Sequence, residues 1–493
     1  MKKIFIVVFI FLIFIYLRIT PIINQTVPYT YDQGRDFLKA EEIVRDKNIP
    51  FIGPTTGIQG VYHGAWWYYF LLVPYLLTSG WPKGFYYALF FLNTTANILF
   101  FIFLYRVFGY LPSLIFFMIV SISPYFIRNA FFVSNDMMAP IFVMLLMFSI
   151  YKIFESKEKK YLILTGLSLG FIFESEVAFG IFLIPVSILT LLIYKRDIVS
   201  KKILFFITGL ILPMVPRLLF ELKNGFMQSK ALVLTFFQKK EAHPLLFGAV
   251  AEERFRTFVE YWNDLFFERN KTLSFTILAF VIIALFVLKK LKVEPVKRKF
   301  AYFFLTIIGI LFIVSLFYRG NFFWGYYFQG AQYFYLILLI ISVYGAVKLK
   351  KTLFLAYFLG FILFALNLVT VYRNFYNRKT SFLGLRADSE IVNYIYSNNV
   401  SRDFCLKIYT PPVFPFTYRY LIDYKNRNLK VKIPSDSFVN NKCWYIIDYD
   451  DYKERVSDWR KNNIPEKAKL IKMVNFENGT NVELWGIFDP NVP

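Results

Sequence analysis

Histidine and cysteine are almost missing from this chain, with two of each in 493 residues. The two thiols, Cys405 and Cys443, cannot form a disulfide framework or a zinc site by themselves. Acidic residues are also scarce, 33 against 56 basic ones. No Walker loop, GxSxG, HExxH or CxxC occurs, so ATP use, serine hydrolysis and metalloprotease chemistry lack support. There is no internal repeat and no low-complexity tract. Polar stretches are rare in the first two hundred residues, and the longest runs from Tyr29 to Phe70.

Apolar residues fill the space. They make up 57% of the chain, 21% being aromatic, and the mean hydropathy is +0.48. Repeated apolar runs of about 18 residues mark a polytopic helical membrane protein. The net charge of +23 sits in short clusters between those runs. That is the pattern of cytoplasmic loops facing anionic lipid, so the bilayer is the expected partner and nucleic acid is not. Met1–Leu17 reads as an uncleaved anchor, since no small-residue cleavage site follows it.

Eleven spans are predicted, at roughly 4–20, 84–105, 110–127, 137–154, 161–173, 177–194, 203–220, 272–288, 300–317, 331–347 and 352–371. The run Ala65–Leu77 is read as juxtamembrane or re-entrant. With the N-terminus cytoplasmic, that choice puts Arg106, Lys157–Lys160, Lys195–Lys202, Lys289–Lys299 and Lys348–Lys351 inside. Outside it puts the loops 21–83 and 221–271 and the C-terminal segment. After the last span the composition turns polar, with alternating runs such as FCLKIYT and CWYIIDY. The expected division is therefore a membrane domain, 1–371, and a small extracytoplasmic α/β domain, 372–493. Cys405 and Cys443 each begin an alternating run and are expected close together, in a compartment that permits oxidation.

This parity gathers the polar residues of the apolar part on one face, which suggests a site there. Asp32 can accept a proton from an attacking hydroxyl, or it can cap a helix Gln33–Val44. Asp136, in RNAFFVSND, can position a substrate or a metal, or cap the next helix. Glu174 and Glu176 flank the turn FESE. Pro213 and Pro216 loosen a helix just before Arg217, which can share a face with Glu221 as a structural ion pair. Arg319 opens an aromatic loop and can bind phosphate or snorkel. His63 can bind a metal or phosphate, although a lone histidine more often does neither.

Taken together, the chain resembles the GT-C membrane glycosyltransferases over roughly residues 1–370. Within them it is most similar to glycosyltransferase family 39, the protein O-mannosyltransferases and lipid A aminoarabinose transferases. The resemblance rests on an acid soon after the first helix, an amphipathic loop ending in an aromatic-rich helix, and a second acid before the fourth span. Asp32 matches the first acid, Asp136 the second, and His63 the start of the H/K-P-P-L-x-Y-W segment. Gln33 stands where the family has Glu, and Gly64 and Ala65 where it has two prolines. The resemblance implies transfer of a sugar from a polyprenyl-phosphate donor to a lipid, glycan or protein acceptor at the outer face of the cell membrane. Asp32 and Asp136 are then the catalytic candidates, and Arg217, Arg319 and His63 the phosphate-binding ones. Glu174, Glu176, Glu221, Tyr31 and Gln33 are candidate substrate contacts. No cofactor is implied, and a divalent metal stays open. The rival classes are a transporter or flippase, which needs broken helices and midplane polar sites, and a non-catalytic assembly protein.

Overall fold

The computed structural model describes the chain except residues 1, 157, 238–245, 267–270, 319–322, 324, 349–359, 362–363, 366, 370, 372–381, 400–402, 412–413, 432 and 489–493. In chain order the elements are α1 (Lys2–Ile23), α2 (Tyr31–Asp46), β1 (Ile52–Thr55), β2 (Tyr62–Gly64), α3 (Trp66–Thr78), α4 (Pro82–Phe108), α5 (Tyr110–Ile122) and α6 (Pro124–Asn129). A 3-10 turn, Asn135–Met138, leads into α7 (Ala139–Glu155), α8 (Lys159–Ser175), α9 (Val177–Lys223), α10 (Met227–Phe237), α11 (Phe247–Asn263), α12 (Lys271–Val287), α13 (Pro295–Ser315) and α14 (Gln332–Lys348). The polar end contributes α15 (Leu385–Ser397), β3 (Leu406–Tyr409), α16 (Phe416–Leu429), β4 (Lys442–Ile447), α17 (Lys453–Asn463), β5 (Ala468–Asn475) and β6 (Asn481–Ile487).

Among the described residues, six helical segments are long and apolar enough to cross a bilayer: Lys3–Ile23, Pro82–Phe108, Asn135–Glu155, Val177–Arg196, Lys202–Lys223 and Pro295–Ser315. α5, Ser274–Val287 and α14 are shorter apolar helices. Of the expected span 352–371, residues 352–359, 362–363, 366 and 370 lie outside the described residues. α3 has 13 residues with Pro74 inside it. At about 1.5 Å per residue it reaches only two thirds of a hydrocarbon core of about 30 Å.

Three sequence expectations change. The run 110–127 is two helices, because Ser123 is extended (φ −70°, ψ 130°) and Pro124 starts a new one. The loosening expected at Pro213 and Pro216 is absent: α9 is non-helical only at Lys195 and Lys202, so Lys202–Lys223 runs unbroken past both prolines. Asp32 is not a cap. α2 starts at Tyr31, and Thr30 holds the N-cap with Gln33 completing a capping box.

The chain divides into two compact units, and three of the five dividing points fall within α1, α3 and α4. The first unit is Met1–Ile19, Ile49–Phe70 and Ala88–Phe375. Its core is a continuous aromatic and aliphatic cluster that includes Phe14, Phe116, Leu146, Phe179, Trp262, Phe304 and Phe334. Arg18 is fully buried in it. The Arg18 guanidinium lies on the Phe14 ring and donates to the carbonyls of Phe14, Val120 and Ser121, at 3.2, 2.6 and 3.2 Å.

The second unit is Thr20–Asn48, Leu71–Tyr87 and Tyr376–Pro493. Its sheet runs β3-β4-β6-β5, with β3 and β4 parallel and the other pairs antiparallel. Leu406 pairs with Trp444, so the preceding residues Cys405 and Cys443 face each other, and they form a disulfide with Cα atoms 4.5 Å apart. α2 lies against α16 so closely that a Cβ at Gly34 would sit 2.5 Å from the Thr417 nitrogen. Under the sheet, Asp448 accepts from Tyr418 Oη (2.7 Å) and Thr480 Oγ1 (2.9 Å).

Candidate functional site

The sharpest polar constellation in the first unit forms where α8 ends. The backbone at Glu176 is extended (φ −141°, ψ 99°), which stops α8 after Ser175 and lets Glu176 cap α9. The Glu176 carboxylate accepts from the Ala178 nitrogen at 3.3 Å, as an N-cap should. Asn135 Nδ2 donates to the Ser175 carbonyl at 2.7 Å, which ties the 3-10 turn to this corner. Asp136, in the same turn, accepts a hydrogen bond from Ser134 Oγ. Burial pushes the Glu176 carboxyl well above the usual carboxylate range, and the neighbouring Asp136 pushes it the same way.

Arg217 projects from α9 to the other side of this corner. Its Nε donates to Glu174 Oε1 at 2.7 Å, and the two side chains are 6% and 1% exposed. Its Nη1 donates to the Tyr62 carbonyl and to Gln228 Oε1, both at 2.8 Å. Gln228 Oε1 also accepts from the Tyr62 nitrogen at 2.9 Å, so one amide oxygen locks β2 to the arginine. The guanidinium sits 4.9 Å from the Phe173 ring centroid. The expected Arg217–Glu221 ion pair is not formed. Glu221 instead accepts from the nitrogens of Gln228 and Ser229 (2.9 Å each) and from Ser229 Oγ (2.6 Å), holding the first turn of α10. A carboxylate at a helix N-terminus satisfies N–H groups that the helix leaves open.

Three polar atoms of this constellation are left over. Glu174 Oε2, Arg217 Nη2 and Gln228 Nε2 are buried and have no hydrogen-bond partner among the described residues. Glu174 Oε2 rests directly over Gly64, where any Cβ would overlap it. Gly64 therefore has a local reason: the space of its side chain is taken by a carboxylate.

Beside Glu174 a cavity of about 300 Å³ opens, lined by Trp66, Trp67, Tyr69, Phe70, Asn135, Met138, Phe142, Phe171, Glu174 and Ser175. Its walls hold one another in place. Phe142 stacks on Phe171 with centroids 4.5 Å apart, and Trp66 meets Phe171 and Tyr69 edge-on at 5.3 and 5.4 Å. Trp66 Nε1 donates to the Pro213 carbonyl at 2.7 Å.

The structure thus brings His63, Asp136, Glu174, Glu176, Arg217 and Glu221 into one region of the first unit. His63 is buried in β2, next to Gly64. Tyr31, Asp32 and Gln33 belong to the second unit. There Asp32 is the open one: its side chain is 64% exposed and pairs with Arg35 at 2.9 Å. Gln33 is buried and spends its Oε1 on the Thr30 nitrogen and hydroxyl, at 2.6 and 2.7 Å. Tyr31 packs on Phe416. Arg319 lies outside the described residues. No group of three His, Cys, Asp or Glu side chains that could hold a metal assembles among the described residues.

Sequence reasoning placed Asn135 on the outer face without a role and passed over Gln228; their amides join the pieces. It also passed over Arg254, a fully buried arginine on α11 that donates to the Tyr318 carbonyl at 2.9 Å. Amides leave no periodic mark. A lone arginine in a charged helical stretch reads as a solvated face, so nothing in the sequence separates Arg254 from its neighbours.

No family model matches this chain, and no curated protein does. Solved structures do. ArnT from Cupriavidus metallidurans in the apo state matches with a TM-score of 0.59 and 11% identity, over 98% of this chain and 97% of that one. ArnT from the same organism bound to undecaprenyl phosphate matches with a TM-score of 0.59 and 10% identity over the same shares. The chain has an ArnT-like GT-C fold along nearly its whole length, beyond the roughly 370 residues over which the sequence resemblance implied it, and it is a multi-pass membrane protein.

Proposed function

We propose that the chain is an integral membrane glycosyltransferase that moves a sugar from a polyprenyl-phosphate donor to a lipid, glycan or protein acceptor. The reaction belongs at the outer face of the cell membrane, with the N-terminus cytoplasmic. One observation carries this reading: the fold is shared end to end with a protein crystallised on undecaprenyl phosphate.

In the proposed step the acceptor oxygen attacks the anomeric carbon. The bond from that carbon to the phosphate oxygen breaks, and its electron pair leaves with the carrier phosphate. The acceptor proton passes to a carboxylate base. The polyprenyl phosphate is already a good leaving group, so no nucleotide is needed. Asp32 is the proposed base, supported by its exposure and by its freedom from capping. Asp136 is the second acid. Cationic groups stabilise the departing phosphate, and Arg217, His63 and Arg319 are proposed for it. The spare Nη2 of Arg217 supports its share. Among the proposed substrate contacts, Gln33 and Glu221 spend acceptor atoms on helix N-termini, whereas Glu174 keeps one in reserve.

The test is transfer of a labelled sugar from lipid carrier to acceptor by purified protein, with wild type and Asp32→Asn side by side. Thr30 holds the cap, so Asp32→Asn should melt like wild type. Loss of the proton acceptor should slow transfer by about two to four orders of magnitude. Near-wild-type transfer by Asp32→Asn refutes the base assignment, and Asp136 is then the acid to replace.

A further inference from the structure

We infer that the crevice beyond the carboxyl ends of β3 and β4, in the second unit, binds a neutral oligosaccharide. In the proposed reaction that ligand is the acceptor glycan, an assignment that rests on sugar transfer for its biological sense. The geometry belongs to the second unit alone.

β3 and β4 are parallel neighbours, paired from Leu406 with Trp444 to Tyr409 with Ile447. Successive residues of a strand point to opposite faces of its sheet. On one face Tyr445 and Tyr409 both meet Trp459 of α17, with ring centroids 6.1 and 5.5 Å away. On the other face Trp444 meets Tyr394 of α15 at 6.2 Å. α16 joins that second side, through the hydrogen bonds of Tyr396 with Asn426 and of Tyr418 with Asp448. The chain therefore leaves β3 toward one face, into α16, and leaves β4 toward the other, into α17. Neighbouring parallel strands whose connections part in this way open a crevice at their carboxyl ends, and open α/β sheets take their ligands there.

The last rung before the crevice is the bond from the Asp448 nitrogen to the Tyr409 carbonyl, 3.1 Å. Just beyond it Tyr449 and Tyr452 are 63% and 62% exposed. Neither ring is loose. Tyr449 Oη donates to Asp451 Oδ1 at 2.9 Å, and the Arg455 guanidinium lies 4.2 Å from the Tyr452 centroid. Asp450 ties the loop down, accepting from Tyr409 Oη at 2.6 Å and from the Tyr452 nitrogen at 2.9 Å. A ligand thus meets exposed aromatic faces that are already held in place, which lowers the ordering cost of binding.

The chemistry of the loop selects the occupant. The electron-rich face of a phenol ring attracts the weakly positive C–H groups of a sugar face. A carboxylate has about four acceptor sites, so Asp450 and Asp451 keep some for sugar hydroxyls. The same two carboxylates repel a phosphate or an acidic ligand. Lys453 and Arg455 follow at once and offset them, and Arg455 already covers one face of Tyr452, so a basic peptide finds little to attract it. Asp448 adds no charge to the crevice's reach, being engaged by Tyr418 and Thr480 within the fold. A neutral polyol with apolar ring faces matches both the rings and the acceptors.

The experiment uses the full chain in a detergent without a sugar headgroup. Maltotriose, mannotriose and galactotriose are the probes, pentalysine is the charged control, and saturation-transfer NMR reads binding. The expected result is saturable binding of at least one trisaccharide and none of pentalysine. Tyr449→Ala and Tyr452→Ala should each weaken it about five- to tenfold, the loss of one aromatic face, with melting unchanged because both rings are exposed. Tyr449→Phe keeps the ring and should bind within about twofold of wild type. With a glycan acceptor, the Tyr449→Ala/Tyr452→Ala double variant should raise KM for the acceptor and leave kcat nearly intact. Failure of every trisaccharide to bind overturns the inference. So does binding of pentalysine in their place, or undiminished trisaccharide binding by both alanine variants. Trisaccharide binding by a protein that transfers no lipid-linked sugar would sink the proposed function and leave the crevice standing. Transfer to a glycan with an unchanged KM in the double variant would do the reverse.

Discussion

Replacing Arg217 by alanine isolates the energetics of the constellation. The substitution removes three hydrogen bonds, to Glu174, the Tyr62 carbonyl and Gln228, and strands a buried carboxylate. Charge-assisted bonds contribute about 1.5–3 kcal/mol each, but they are not additive here because they share one guanidinium. The better guide is the cost of breaking one partner from a buried pair, about 3–5 kcal/mol. Melting in detergent should therefore fall by roughly 5–15 °C, at a few degrees per kcal/mol. Glu174→Met together with Arg217→Met should recover a good part of that loss, because an apolar pair of similar volume leaves no unpaired charge. The assay is a double-substitution cycle by thermal melting. An Arg217→Ala protein that melts within about 2 °C of wild type refutes the reasoning, as does a double variant no better than the single one.

Three further outcomes follow from the second unit and the topology. Burial, and after it Glu41, raises the Asp423 carboxyl from 3.8 to about 6. The folded state holds that proton more tightly, so this group costs nothing below about pH 4 and destabilises progressively as pH rises through 6. Asp423→Asn should then raise stability by about 1 kcal/mol at pH 8, discounted for partial exposure, and by nothing at pH 4; equal melting shifts at both contradict it. The Cys405–Cys443 bond closes a separation of 38 residues, worth about 4 kcal/mol in the loop-entropy account. Reduction, or Cys405→Ser, should lower the melting of the polar unit, and an unchanged melt would count against that value. Reporter fusions at Lys160 and Lys290 should signal from the cytoplasm and one at Pro493 from outside; a cytoplasmic signal at Pro493 reverses the proposed orientation.

What could be read in advance follows the physics of each feature. Apolar runs have a length the bilayer dictates, so α1, α4, α7 and α13 stand out as segments in the sequence. Ser123 was not, because a one-residue break inside an apolar run leaves the composition unchanged. Prolines misled at Pro213 and Pro216, where the helix simply continues. Disulfide partners were legible because Cys405 and Cys443 head alternating runs that pair in register. The carboxylates were found as residue types, but their partners were not: Glu174 chooses Arg217 from 43 positions away. The ordinary helix-spacing rule favoured Glu221, which serves α10 instead. Gly64 read as a departure from a family motif, and only the position of Glu174 Oε2 explains it. Long-range polar pairing is set by which helices cross, and local periodicity carries no record of that.

The most direct measurement follows both products of one reaction. Wild-type protein in sealed vesicles is given a polyprenyl-phosphate sugar labelled on the sugar, with acceptors from an envelope extract outside. The proposed function predicts that label reaches an acceptor as free polyprenyl phosphate appears in equal amount, without any nucleotide. Movement of the intact lipid-linked sugar across the bilayer, with no polyprenyl phosphate released, would contradict it and identify a transporter.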